Sequence, residues 1–150
     1  MKDTPDTPLE LRARALRLLA RREHSRQELE RKLAPRAESP AALHGLLAGL
    51  AAKKQLSEER FAEERAHVLS RKYGAARIRQ DLKARGIADD VAERSLQGLN
   101  DFEKAKEILQ RKYRVPASTR EEKAKRMRFL QSRGFASEII FKLLSARGDD

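Results

Sequence analysis

Apolar side chains recur along this chain at three- and four-residue intervals, in short runs broken by glycine, proline and capping residues. That spacing gathers them on one face of a helix that turns 100° per residue. The stripes are Ala15, Leu16 and Leu19; Leu29 and Leu33; Leu43, Leu46, Leu47 and Leu50; Phe61, Val68 and Leu69; Ile78 and Leu82; Val91 and Leu96; Ile108 and Leu109; Met127 and Leu130; Ile139, Ile140, Leu143 and Leu144. They predict nine helices near 8–23, 25–34, 40–53, 58–73, 75–85, 88–98, 101–114, 119–133 and 136–146. Abundant Ala, Leu, Arg, Glu and Lys with few β-branched residues favours helix throughout, and no run resembles a strand.

The helix ends carry their own signals. Thr7-Pro8-Leu9-Glu10 offers an N-cap, a proline at the first helical position and a carboxylate at the third, and Ser25-Arg26-Gln27-Glu28 is a second capping box. Ser39-Pro40, Ser57-Glu58-Glu59, Asn100-Asp101-Phe102-Glu103 and Ser118 or Thr119 open further helices. Gly74, Gly86 and Gly134 are expected to end the fourth, fifth and eighth. Short helices with single stripes cannot fold alone, so they are expected to pack as three-helix bundles that lean on one another.

Internal echoes group the helices in threes. Arg71-Lys72-Tyr73 returns 40 residues later as Arg111-Lys112-Tyr113, and Leu82-Lys83-Ala84-Arg85-Gly86-Ile87 returns 48 residues later as Leu130-Gln131-Ser132-Arg133-Gly134-Phe135. The difference of eight falls on Val115-Pro116-Ala117-Ser118-Thr119. A fainter copy aligns Leu18–Arg22 with Val68–Lys72 and Glu28–Lys32 with Asp81–Arg85, which puts Leu33 at the place of Gly86. The expected fold is all-α: three tandem three-helix repeats, a degenerate one at 8–55 and two more at 56–99 and 100–147, stacked into an elongated solenoid-like array whose side wall binds.

Charge sharpens this picture. The net charge is +11, the footprint of a partner bearing phosphates or carboxylates, although basic side chains also serve as solvated helix faces. The excess lies at the two ends, because residues 57–100 carry 9 basic and 8 acidic side chains. With no cysteine there is no disulfide, thiolate metal site or cysteine nucleophile. The polar N-terminus and the absence of a long apolar run make a cytoplasmic protein the expectation.

No catalytic constellation emerges. His24, His44 and His67 are isolated, and no phosphate loop, dinucleotide fingerprint or nucleophile elbow occurs. Glu63-Glu64 and Asp89-Asp90 diverge by about 100° on a helix, so neither pair shares a site. No metal, cofactor or enzymatic activity is expected. The binding candidates are basic. With Ile78 and Leu82 inward, Arg77, Arg79, Gln80 and Lys83 point outward; with Met127 and Leu130 inward, Lys125, Arg126 and Arg128 lie off the stripe. Recurrence in two repeats favours a continuous basic stripe, with Arg133 beside it and Arg21-Arg22 as a weaker contribution. Phe129, Tyr73 and Tyr113 are read as packing residues rather than base-stacking ones.

Leu56-Ser57-Glu58-Glu59-Arg60-Phe61-Ala62, Arg77-Ile78-Arg79-Gln80-Asp81-Leu82-Lys83-Ala84-Arg85-Gly86-Ile87 and the late echo Phe129–Phe135 together resemble the RecX family of bacterial regulators of the RecA recombinase. The resemblance runs from about Leu9 to Leu144 and is strongest over 56–99. It implies a curved, elongated array of three-helix repeats that binds in the groove of a RecA–DNA filament. It further implies inhibition of recombinase, ATPase and filament growth, and so a role in recombinational DNA repair. RecA, free or on single-stranded DNA, is then the partner, the DNA backbone is contacted, and the chain acts as a monomer. Two other readings stay open on the residues alone: a helix-turn-helix-like module acting on bare DNA, and a helical scaffold for an acidic protein.

Overall fold

The structure, a computed structural model, describes residues 4–148. Nine α-helices run in order through them: α1 Pro8–Arg21, α2 Arg26–Leu33, α3 Pro40–Ala52, α4 Glu58–Leu69, α5 Ala75–Ala84, α6 Asp89–Leu96, α7 Asp101–Lys112, α8 Arg120–Ser132 and α9 Ser137–Gly148. A single 3-10 turn, Ala34–Arg36, follows α2. The expected nine helices are all present.

Their starts follow from side-chain chemistry. Thr7, Ser25 and Thr119 each accept from the N–H three residues on, while Glu10, Glu28 and Glu122 reach back to the cap, completing three capping boxes. Ser39, Ser57 and Asn100 cap α3, α4 and α7 in the same way without the reciprocal arm. Gly74 departs from expectation. It does not end α4, which closes at Leu69, but stands as the N-cap of α5.

Three separate cores result. Leu11, Ala15, Leu29, Leu33, Leu43, Leu47, Leu50 and Leu56 bury one another in the first. Phe61, Ala62, Ala66, Ile78, Leu82, Ile87, Ala92 and Leu96 form the second, and Ala105, Ile108, Leu109, Leu130, Phe135, Ile140, Leu143 and Leu144 the third. Val68, expected in the second, is exposed. The accessible surface of 9679 Å² exceeds the roughly 7,800 Å² of a compact monomer of this size. A tandem row of small bundles, each with its own core, accounts for the excess.

The second helix of each later repeat ends alike. Gly86 and Gly134 take φ of +83° and +89°, a conformation that costs other residues about 1–2 kcal/mol. The following Ile87 and Phe135 then turn back, bonding to the carbonyls of Leu82 and Leu130 at 3.0 and 3.2 Å and entering the core. In the first repeat the corresponding device follows α3. Lys54 takes φ +61°, Arg60 holds its carbonyl at 2.8 Å, and Leu56 folds back to the Leu50 carbonyl. Leu56, assigned from sequence to the second repeat, therefore belongs to the first core.

The first repeat is also in a different register from the one its sequence suggested. Ser25 and Gly74 are the equivalent N-caps, and the first N–H of each helix finds a carboxylate at the start of the next repeat: Arg26 to Glu58 at 3.0 Å, Ala75 to Asp101 at 3.1 Å. Leu29 and Leu33 thus match Ile78 and Leu82, all four fully buried. Ala37, not Leu33, stands where Gly86 does. No helix among the described residues is long and apolar enough to cross a membrane.

Candidate functional site

The nine basic residues singled out by sequence fall into four environments. Arg21, Lys83, Lys125 and Arg128 are exposed and make no ion pair with a described residue. Two are neutralised locally. Arg22 binds Glu28 at 3.1 Å and the Glu23 carbonyl at 2.8 Å, and Arg79 pairs with Glu93 one helix away.

Two more tie the second repeat to the third. Arg77 lies 4.5 Å over the Tyr73 ring and donates to the Ser132 carbonyl at 2.8 Å. Arg133 donates to the Lys72 carbonyl at 3.3 Å and covers Phe129 at 4.9 Å. Both hold the junction with Gly74, whose N–H donates to the Arg133 carbonyl at 2.7 Å. A Cβ on Gly74 would stand 2.6 Å from the Gly134 carbonyl oxygen, so this contact needs glycine.

Arg126, expected at the surface, is buried. It is 5% exposed, its guanidinium stacks 4.3 Å from the Tyr113 centroid, and its Nε has no hydrogen-bond partner. The cause is register. Ile78 and Leu82 lie four residues apart, and the residue four before Leu130 is Arg126, not Met127. Met127 is only partly buried against the third core. In the same register Arg77 and Arg85 match Lys125 and Arg133, while Arg79 and Lys83 match Met127 and Gln131. The basic stripe therefore recurs at two positions rather than throughout.

The aromatic residues pack. Tyr113 and Phe129 meet edge to face, centroids 6.1 Å apart at 83°. Tyr73 packs against the second core beneath Arg77. His24 is buried, with its Nδ1–H on the Arg22 carbonyl at 3.0 Å and its Nε2 facing the Lys32 ammonium at 3.1 Å. Burial, with the charges of Arg22 and Lys32 added, holds its pKa below the ordinary value. No group of His, Asp or Glu among the described residues is arranged to hold a metal ion.

The junction between the first and second repeats is an ion network that the sequence did not announce. Glu28 is buried and accepts from Arg22 and from Arg85 at 3.1 Å each; Arg85 also reaches Asp81 at 3.0 Å, and Asp81 accepts from Arg65 at 2.8 Å. Burial alone would raise the Glu28 pKa, but hydrogen bonds from Arg22 and the Ser25 N–H and the charge of Arg85 hold it below the usual range. A cavity of about 330 Å³ opens beside this network. Its signal in sequence was the Arg85–Arg133 echo, since both side chains reach back to the repeat before their own.

Comparison with known proteins gives three consecutive matches. Family models described as the first, second and third three-helix domains of RecX match residues 12–42, 57–96 and 100–144. "Regulatory protein RecX" of Ralstonia nicotianae is 41% identical over 143 residues, covering 93% of this chain and 89% of that one. The protein of the same name from Pseudomonas syringae pv. tomato is 43% identical, covering 97% and 96%. The crystal structure of RecX from Lactobacillus salivarius superimposes with a TM-score of 0.82 at 22% identity, covering 95% of this chain and 97% of that one.

Proposed function

The chain belongs to the RecX family, and on that premise we propose that it is a non-enzymatic regulator of the RecA recombinase. It lies along the groove of the RecA–DNA filament and opposes ATP hydrolysis and filament extension, and so tempers recombinational repair. The observation that carries the reading is the elongated row of three bundles presenting exposed cations without acidic partners among the described residues. Such a row can follow a helical groove, and its charged contacts give salt-sensitive attachment with little dependence on sequence. The relatives' name, regulatory protein, supports a regulatory role.

The contact surface is assigned to Lys83, Lys125 and Arg128, with Arg21 as a weaker contribution. Arg77 serves it by fixing the repeat junction rather than by touching the partner. Charge reversal at Lys83, Lys125 and Arg128 together is expected to lower inhibition of the RecA ATPase at least tenfold while leaving the thermal melt unchanged. Inhibition at the wild-type level by a folded triple variant would remove this assignment. The second reading, a module acting on bare DNA, predicts tight duplex binding and no effect on RecA.

A further inference from the structure

The two junction clefts are built from corresponding parts and differ in their acids. At the first, the end of α1 brings Arg22 and Glu23, α4 brings Glu64 and Arg65, and the end of α5 brings Arg85, around buried Glu28. Each guanidinium there meets a carboxylate: Arg22 and Arg85 on Glu28, Arg65 on Asp81. At the second, the turn after α4 brings Arg71 and Lys72, α7 brings Arg111 and Lys112, and the turn after α8 brings Arg133, beside Phe129. No acidic side chain among the described residues lines it. The two copies of the Arg-Lys-Tyr echo meet here, one on each wall.

The cations that cross this second cleft are fixed without being neutralised. Arg111 donates to the Arg71 carbonyl at 2.7 Å and Arg133 to the Lys72 carbonyl at 3.3 Å, so carbonyl oxygens orient them and their charge remains. Lys112 and Arg133 flank Phe129 at 5.0 and 4.9 Å from its centroid. Five like charges around a shallow hollow of about 280 Å³ repel one another, and an anion seated among them relieves that repulsion.

We propose that the cleft between the second and third repeats is a binding site for the phosphodiester backbone of nucleic acid. Arg71, Arg111 and Arg133 offer planar forks that match phosphate oxygens, and Lys72 and Lys112 add point charges on either wall. A sugar–phosphate chain delivers one charge per nucleotide and so matches a dense patch better than a lone carboxylate does. The first cleft supplies its own carboxylates and takes no such ligand. The inference rests on the filament reading only in that nucleic acid is the anion; the site stands or falls by direct binding.

The test is the salt-dependent binding of a labelled single-stranded oligonucleotide to the full chain. Three proteins are compared: wild type, Arg71→Glu/Lys72→Glu, and Arg17→Glu/Arg31→Glu, which changes the net charge equally on the first repeat. The side chains of Arg71 and Lys72 are exposed and only their carbonyls serve the junction, so the fold should survive, as a melt will show. A milder pair, Arg71→Gln/Lys72→Gln, repeats the test without introduced acids. The cleft variant is expected to lose at least tenfold in affinity and about two from the logarithmic salt slope, the milder pair to lose less, and the control to lose under threefold. Equal losses in cleft variant and control would overturn the site, as would competition by polyglutamate matching that of the oligonucleotide at equal charge. RecA inhibition, measured in parallel, separates the two proposals. Cleft-dependent oligonucleotide binding with no effect on RecA removes the filament reading and keeps the site. RecA inhibition with unchanged oligonucleotide binding in the cleft variant does the reverse.

Discussion

At position 134 the backbone turns with φ +89°, and a Cβ there would lie 2.7 Å from the Arg77 backbone nitrogen. Conformation and contact both demand glycine, at the point where two repeats touch. Gly134→Ala is therefore expected to cost about 2 kcal/mol or more, combining the left-handed penalty with a displaced neighbour; urea titration measures it, and a loss below about 0.5 kcal/mol would contradict the packing described. The same scale holds a pH dependence. The Asp6 carboxyl is held at about 2, below its ordinary 3.8, by hydrogen bonds from Arg14 and then from Arg36. Because its folded pKa lies below its unfolded one, its contribution is complete above pH 4 and is lost as pH falls from 3.8 toward about 2. Melts of wild type and Asp6→Asn should differ at pH 5 and converge near pH 2. A gap that persists at the acid end would place the stabilisation elsewhere. None of this partnership was visible in sequence, since Asp6, Arg14 and Arg36 are brought together only when the first repeat closes.

Among elements, six of the helix starts were legible because each carries its own chemistry: a hydroxyl or amide oxygen before the first turn, and often a glutamate three residues later. Registers were less so. Ser25 is the N-cap of α2 and Gly74 that of α5, but one is a side-chain cap and the other bare backbone, so nothing in their identities aligned them. Arg126 was misplaced for a related reason. Its charge argued for the surface while its four-residue spacing from Leu130 argued for the core, and the spacing prevailed. Arg126 holds the place of Ile78 with an unsatisfied Nε, and a buried polar group without a partner is costly. Arg126→Met is accordingly expected to leave stability unchanged or raise it by about 1 kcal/mol, and to leave RecA inhibition intact. A loss above about 2 kcal/mol in thermal or urea melts would show that stacking on Tyr113 outweighs the orphaned nitrogen.

At the scale of the whole molecule, the tandem array was readable from the echoes, and three separate cores with three family matches agree with it. The basic excess was readable too. Its distribution was not, because whether a cation is free, paired or stapling depends on which acid or carbonyl the neighbouring repeat brings to it. Arg22 and Arg85 converge on Glu28 from different repeats, whereas Lys83 and Arg128 meet no carboxylate among the described residues. The proposed function rests on that difference between cations that a carboxylate neutralises and cations that remain charged. The most direct test is binding of the full chain to RecA-coated single-stranded DNA, bare single-stranded DNA and bare duplex at two salt concentrations, with ATP hydrolysis followed alongside. The filament account predicts tighter binding to the coated strand than to either bare form, with falling ATPase; equal or tighter binding to bare DNA with unchanged ATPase would contradict it.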